Sequence, residues 1–90
     1  MHAVIVKVRI DDFERGREFL TTQIVPNVKQ APGFVAGYWT RPGENRGESM
    51  IVFESEEGAQ TVRQMIESGP GPGDGVSLES VEIAEVVASA

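Results

Sequence analysis

A chain of 90 residues with 40% apolar and 24% charged residues has the size and composition of one folded domain. Because it contains no cysteine, a disulfide framework and a thiolate metal site are excluded. The net charge of −6 opposes binding to nucleic acid, which relies on lysine and arginine contacts with phosphate. There is no signal-peptide pattern and no apolar run near the roughly 18 residues of a membrane span. We therefore expect a single cytoplasmic domain over residues 1–90, with no nucleic-acid or membrane partner.

The first predicted element is a strand from His2 to Ile10, because apolar side chains alternate along it and many are β-branched. At Asp11 the spacing of the apolar residues becomes helical. We expect Asp11 to be the N-cap of this helix and Glu14 to be its capping-box partner. The residues that follow at helical spacing are Phe13, Arg17, Leu20, Ile24 and Val28.

Two prolines shape the first predicted helix. Pro26 should kink or restart it, because the proline ring removes a backbone donor and clashes with the preceding turn. Pro32 and Gly33 should end it, since glycine readily adopts the positive φ that a reversal of the chain often needs. A second strand is then predicted from Phe34 to Arg41.

The remaining elements follow the same logic. We expect a polar hairpin loop from Pro42 to Gly47, a third strand from Glu48 to Glu54, and a second helix capped by Ser55. The apolar stripe of that helix comprises Ala59, Val62, Met65 and Ile66. The glycine- and proline-rich run 69–75 is predicted to be a loop, and 76–87 the last strand, with its apolar residues divided between two phases.

The order βαββαβ predicts an α+β, ferredoxin-like fold with a four-stranded antiparallel sheet and both helices on one face. Strands 1 and 3 are expected in the centre because they are apolar on both faces. The helices cover one face only, so an apolar face stays open, which is unusual for a monomer. We therefore expect a homodimer that forms through the open sheet face.

Two stretches carry a family resemblance: Pro-Gly-Phe-Val-Ala-Gly-Tyr-Trp at 32–39, and Met-Ile-Val-Phe-Glu-Ser-Glu-Glu-Gly-Ala at 50–59. Together with the element order, they resemble the dimeric α/β-barrel superfamily, and within it the antibiotic biosynthesis monooxygenase-like branch. The resemblance implies a barrel of two face-to-face sheets and a ligand cavity between sheet and helices in each subunit. It also implies several activities, among them oxygenation of phenols or quinols without metal or flavin, and haem degradation.

The haem-degrading branch of this superfamily does not match the sequence. Its pattern has an asparagine on strand 1, a tryptophan on strand 3 and a histidine on helix 2. Here strand 1 has no asparagine, Trp39 lies on predicted strand 2, and the single histidine is His2. We therefore expect no haem and no other cofactor.

Cofactor-free oxygenation, as the resemblance implies it, needs an apolar pocket, a proton acceptor and donors that hold the substrate oxygen. The candidate catalytic residues are His2 as a base, Tyr38 as a hydrogen-bonding group and Arg41 as an oxyanion stabiliser. Trp39 is the candidate for stacking on an aromatic ring. The other candidate pocket residues are Phe13, Leu20, Phe53 and Met65. No set of residues with metal-ligand spacing is present, so no metal site is expected.

Each candidate also has a structural interpretation. Adjacent strand residues point to opposite faces, so Tyr38 and Trp39 should divide between the pocket and the sheet-to-sheet contact. His2 fits a solvated strand end, and Arg41 fits the edge of a hairpin. Two functions therefore stay open. One is a cofactor-independent monooxygenase for a small aromatic or quinone-like metabolite; the other is a non-catalytic dimer that binds a small apolar ligand or has a structural role.

Overall fold

The computed structural model describes residues 1–68 and 75–90. Within these residues the chain forms four β-strands, three α-helices and one π-helical turn. In chain order the elements are β1 (His2–Ile10), α1 (Phe13–Phe19), the π-helical turn (Leu20–Ile24), α2 (Val25–Lys29), β2 (Phe34–Gly43), β3 (Arg46–Phe53), α3 (Glu56–Ser68) and β4 (Val76–Glu85). Most of the predicted loop 69–75 lies outside the described residues.

The strands form an antiparallel sheet in the order β2-β3-β1-β4. The predicted α+β, ferredoxin-like arrangement is confirmed, with β1 and β3 in the centre. The core lies where α3 packs on the sheet, and its fully buried side chains include Val4, Ile51 and Phe53. No helix in the described part of the chain combines the length and the apolar character needed to cross a membrane.

The first helical segment begins one residue later than predicted. Asp12, not Asp11, is its N-cap: Asp12 is extended, and its carboxylate accepts a hydrogen bond from the Arg15 backbone N–H at 3.2 Å. Asp11 instead forms an ion pair with Arg9, with 3.2 Å between Oδ1 and Nε. The Asp12 carbonyl also accepts the first helical hydrogen bond, from the Gly16 N–H. Sequence spacing alone could not decide which of the two adjacent aspartates is the N-cap.

The effect of Pro26 on the helix is visible as a change of helical type. Leu20–Ile24 is a π-helical turn that ends where the Val25 N–H bonds to the Leu20 carbonyl, five residues back. Pro26 then lies in the first turn of α2, the part of a helix that best tolerates a residue without a backbone N–H. The predicted restart of the helix at Pro26 is therefore confirmed. The π-helical turn separates α1 from α2, which contains Pro26.

The β2–β3 hairpin is tighter than predicted. The expected loop, Pro42 to Gly47, contains strand residues at both ends, and Gly43 pairs with Arg46 across a turn at 44–45. Pro42 is tolerated because β2 is an edge strand and its register is irregular between Thr40 and Gly43. The loop prediction was therefore too long by two residues at each end.

Strand β4 contains a β-bulge that was not predicted from the alternation of its residues. Lys7 pairs with Ser80 while Val8 pairs with Leu78, so Glu79 has no counterpart on β1. The extra residue reverses the alternation, and Val76 and Leu78 come to the same face as Val81 and Ile83. Val76 and Leu78, which the sequence placed in the opposite phase from Val81 and Ile83, thus belong to the same helix-facing side, whereas Ala84 pairs with Ala3 on the other face.

Two predicted joints are confirmed. Gly33 has a φ of +80°, a backbone conformation that favours glycine, where α2 reverses into β2. Ser55 caps α3, because its Oγ accepts a hydrogen bond from the Gly58 backbone N–H at 3.3 Å.

Candidate ligand-binding cavity

A cavity of about 670 Å³ lies between the sheet and the helical segment 13–29. Its floor is the helix-facing side of β1 and β3, including Val6, Val8 and Ile51. Its far wall is α1, the π turn and α2, and one side is closed by Met65 and Ile66 of α3. The volume falls in the range of about 300–1,000 Å³ typical of small-molecule sites.

The neighbouring aromatic residues of β2 lie on opposite faces of the sheet. Trp39 pairs with Ser49 and lines the cavity, whereas Tyr38 pairs with Met50 and is 68% exposed on the other face. The predicted placement of the two residues on opposite faces is confirmed, and Trp39 is the one that faces the helices. Tyr38 is not a cavity residue, so its placement in the candidate site was wrong; the strand alternation at this point sends its phenol to the opposite face.

The position of the Trp39 ring depends on a glycine two residues earlier on the same face. A Cβ atom added to Gly37 would lie 2.8 Å from two carbons of the indole ring and 3.6 Å from the Phe34 ring. The indole therefore lies directly over the Gly37 backbone, which a side chain would prevent. Gly37 is a positioning residue for the cavity wall that the sequence showed only as a glycine in a strand.

Arg41 lies on the same side of β2 as Trp39 and borders the cavity. Its guanidinium carbon lies 3.7 Å from the centroid of the Phe13 ring, so the two side chains are stacked. Its Nη2 donates a hydrogen bond to the Glu44 carbonyl at 3.0 Å. These two contacts join the β2–β3 hairpin to the start of α1 and fix the guanidinium group beside the cavity.

The polar residues that border the cavity come mostly from the first helical segment. They include Arg17, Thr21, Gln23 and Asn27, with Thr40 and Glu48 from the sheet. Glu48 forms an ion pair with Arg46, at 3.3 Å between Oε1 and Nη2. Gln23 and Asn27 were not singled out by the sequence. Both fit the three-to-four spacing that starts from Leu20, and Gln23 lies in the π turn. Because they are polar, they were not assigned to the apolar stripe.

Three other sequence candidates also border the cavity. Phe13 and Leu20 contribute to the helical wall, and Met65, although 57% exposed, contributes from α3. Phe53 does not: it is fully buried on the far side of the core, where its ring meets that of Phe34 edge to face at 6.2 Å between centroids. Phe53 was therefore wrongly placed in the pocket. It lies near the end of β3, next to α3, where the two layers are in contact.

His2 is also outside the cavity. It lies at the start of β1, and its Nε2 is 3.6 Å from the Glu56 carboxylate at the beginning of α3. Its Nδ1 is buried and has no hydrogen-bond partner among the described residues. His2 was therefore wrongly placed as a base in the pocket, because the strand carries it to the opposite end from Arg41. Among the described residues, no cluster of histidine and carboxylate groups is arranged to hold a metal ion.

The sheet face away from the helices is apolar at its centre, and no helix of the described residues covers it. Its central residues pair across three strands, and we call them the open face: Ala3, Ile5, Ala36, Tyr38, Met50 and Val52. Tyr38 and Met50 are the most exposed of these, and Val35 at the strand edge is 46% exposed.

Comparison with known proteins supports the fold. No family model matches the sequence. No curated protein matches it either. Solved structures do match, and one is a dimeric ferredoxin-like protein from an uncultured marine organism, at 12% identity and a TM-score of 0.63, covering 100% of this chain and 98% of that one.

Two other similar structures have described ligands. The monooxygenase from the gene ActVA-Orf6 of Streptomyces coelicolor, solved in complex with nanaomycin D, has 14% identity and a TM-score of 0.61, covering 99% of this chain and 89% of that one. The haem degrader MhuD from Mycobacterium tuberculosis, solved with two haems in its active site, has 19% identity and a TM-score of 0.55, covering 98% of each chain. At these identities the likeness concerns the fold, and this chain has the ferredoxin-like fold that the three proteins share.

Proposed function

We propose that this protein binds a small aromatic or quinone-like metabolite in the cavity between its sheet and helices. The observation that carries the proposal is the cavity of about 670 Å³ with Trp39 in its wall and Arg41 at its border. Apolar walls with a few fixed polar groups are typical of small-molecule sites. An indole in the wall favours a flat aromatic ligand, because the two ring systems can stack or meet edge to face.

Haem does not fit the residues of this cavity. Among the described residues that line it there is no histidine, cysteine or tyrosine to bind the iron. The chain's single histidine, His2, is beside Glu56 instead. We therefore propose a ligand other than haem, although one protein of this fold degrades haem.

Oxygenation of the bound metabolite is a second candidate function, and Arg41 is the observation that favours it. A guanidinium group beside the substrate would stabilise a phenolate, the electron-rich form that reacts with oxygen. The reaction needs no other reductant: 1-naphthol and O₂ balance to 1,4-naphthoquinone and water. The monooxygenase of this fold that was solved with nanaomycin D makes the reaction class a reasonable one to test. A non-catalytic binding protein is the alternative.

The homodimer is part of the proposal. The open face is apolar, and Tyr38 and Met50 lie on it with much of their surface exposed. A domain of this size buries only about 60–65% of its unfolded surface, so a second sheet packed on this face would add burial that the monomer lacks. A similar structure is described as a dimeric ferredoxin-like protein. The cytoplasmic location expected from the sequence stays a prediction.

Binding can be tested by titrating the protein with 1,4-naphthoquinone and following the fluorescence of Trp39, the chain's one tryptophan. The absence of cysteine prevents the quinone from reacting with a thiol. We expect saturable quenching with a dissociation constant in the micromolar range, confirmed by calorimetry. Non-saturable quenching, together with no heat of binding, would refute the proposal.

A cavity-filling variant supplies the control. A Cβ at Gly47, which borders the cavity, would lie 2.8 Å from Val8 and 3.2 Å from Ile10. Ala31→Phe is the less disruptive choice, since Ala31 borders the cavity from the turn between α2 and β2. Ala31→Phe should lose naphthoquinone binding while its circular dichroism stays that of the parent. Oxygenation is tested by incubating the protein with 1-naphthol in air and measuring 1,4-naphthoquinone by chromatography. If naphthoquinone forms no faster than without protein, oxygenation is refuted and only the binding function stands.

A further inference from the structure

Two arginine side chains border the cavity of a protein whose net charge is −6. Arg41 comes from β2 and Arg17 from α1. In so acidic a chain, guanidinium groups have many carboxylates available as partners. An arginine at the cavity that has no carboxylate partner would therefore indicate an anionic ligand.

The arginines of the described residues differ in their partners. Ion pairs with carboxylates join Arg9 to Asp11 at 3.2 Å, Arg46 to Glu48 at 3.3 Å and Arg63 to Glu67 at 2.7 Å. Arg17 and Arg41 have no carboxylate within 4.0 Å in the described part of the chain. Within the described residues, the cavity is thus bordered by two positive charges that are not in ion-pair contact with a carboxylate.

The two charges lie at the same end of the cavity. Arg41 stacks on Phe13, and Arg17 is four residues after Phe13, on the same face of α1. The guanidinium group of Arg41 is held in place by the Phe13 ring and the Glu44 carbonyl. A guanidinium group carries five N–H donors, so donors remain available for an oxyanion after the bond to Glu44 is made.

The aromatic and the charged parts of the site are arranged along β2. Trp39 and Arg41 are two residues apart on one face of the strand, with the indole nearer the core and the arginine nearer the hairpin. We infer that the ligand is an aromatic molecule with an anionic oxygen group, such as an acidic hydroxyquinone or an aromatic carboxylate. Its ring lies against Trp39, and its oxyanion binds Arg41 with Arg17 beside it. This inference rests on the proposed binding function.

The expected preference for an anion is moderate. Both arginines are exposed, so water and salt screen their charges, whereas a bidentate guanidinium–oxyanion contact is among the stronger polar interactions. We expect about tenfold tighter binding of an anionic ligand than of its neutral counterpart at low salt. The preference should decrease in 0.5 M sodium chloride, because about 0.5–1 M salt shortens the screening length to a few ångströms.

A matched pair of quinones tests the inference. The probes are 2-hydroxy-1,4-naphthoquinone, which is ionised at pH 7, and its neutral methyl ether, 2-methoxy-1,4-naphthoquinone, both titrated by calorimetry. We expect Arg41→Gln to weaken binding of the anion far more than binding of the ether, so that most of the preference for the anion is lost. Arg41→Lys should keep part of the preference, because it keeps the charge without the planar donor pair. Arg17→Gln should give a smaller loss.

The control is Arg63→Gln on α3, which removes one positive charge from a residue that is paired with Glu67 and does not border the cavity. It should leave both affinities unchanged. If the parent binds both quinones equally, or if Arg41→Gln weakens both by the same factor, the inference of an anionic ligand is overturned and the binding function stands. If neither quinone nor 1,4-naphthoquinone binds, the binding function itself fails.

Discussion

The two faces of the sheet are made of the same strands and both are apolar at their centres, yet the described helices cover only one of them. On the covered face, Val4, Ile51 and Phe53 are fully buried under α3. On the open face, Tyr38 and Met50 remain largely exposed. The difference between Trp39 and Tyr38, which are neighbours in sequence, is therefore set by the side of the strand and not by the chemistry of the residue.

The covered face is itself divided. Where α3 packs directly on β1, β3 and β4, the small residues Ala59 and Val62 are buried against the sheet. Where the segment 13–29 crosses the sheet, the layers stand apart and leave the cavity. A tight half stabilises the fold and a hollow half is free to bind a ligand. Substitutions in the three regions should therefore have different consequences.

The largest effect is expected in the tight half. Phe53→Ala removes a fully buried ring that packs against Phe34, and such changes cost about 3–5 kcal/mol. That is a large part of the about 5–15 kcal/mol that stabilises a typical domain. Urea unfolding followed by circular dichroism should show this loss. Phe53→Leu, which keeps most of the volume, should lose clearly less.

Met50→Ala on the neighbouring open face is the matched control, since Met50 is 46% exposed within the chain. We expect it to affect stability mainly through the dimer, so its effect should decrease as the protein is diluted. A concentration-independent loss as large as that of Phe53→Ala would contradict the distinction between the two faces.

An intermediate effect is expected from the two aromatic neighbours of β2. Trp39→Ala should abolish the binding of 1,4-naphthoquinone, measured by calorimetry, and leave the dimer intact, because Trp39 lines the cavity. Tyr38→Ala should keep the binding and weaken the dimer by about 2 kcal/mol, as removal of a central interface aromatic commonly does. Sedimentation equilibrium measures the second effect. If both variants lost naphthoquinone binding and dimer strength to the same extent, the cavity and the open face would not be separate sites.

Sequence patterns predicted the fold better than the site for physical reasons. Alternation in β1, the joint at Gly33 and the cap at Ser55 are local signals, and local geometry fixed each of them. The bulge in β4 depends on pairing with β1, so alternation in one strand alone divided its apolar residues wrongly. The sequence also could not show that His2 and Phe53 lie outside the cavity. Both lie on the helix-facing side, and only the packing of α3 decides which part of that side is hollow.

The smallest effect is expected at the end of the chain, beyond β4. β4 ends at Glu85, opposite His2, and the Val86 N–H still bonds to the Met1 carbonyl at 2.9 Å, but Val87 is 88% exposed. Deleting residues 87–90 removes this valine and keeps the Met1 bond. If Val87 packs on the partner, the dimer should weaken by about 1 kcal/mol, close to the burial of part of one valine side chain. Sedimentation equilibrium of the truncated chain, compared with a Ser89→Ala control that keeps Val87, measures the change; an unaltered dimer dissociation constant would mean that the end of β4 makes no contact with the partner.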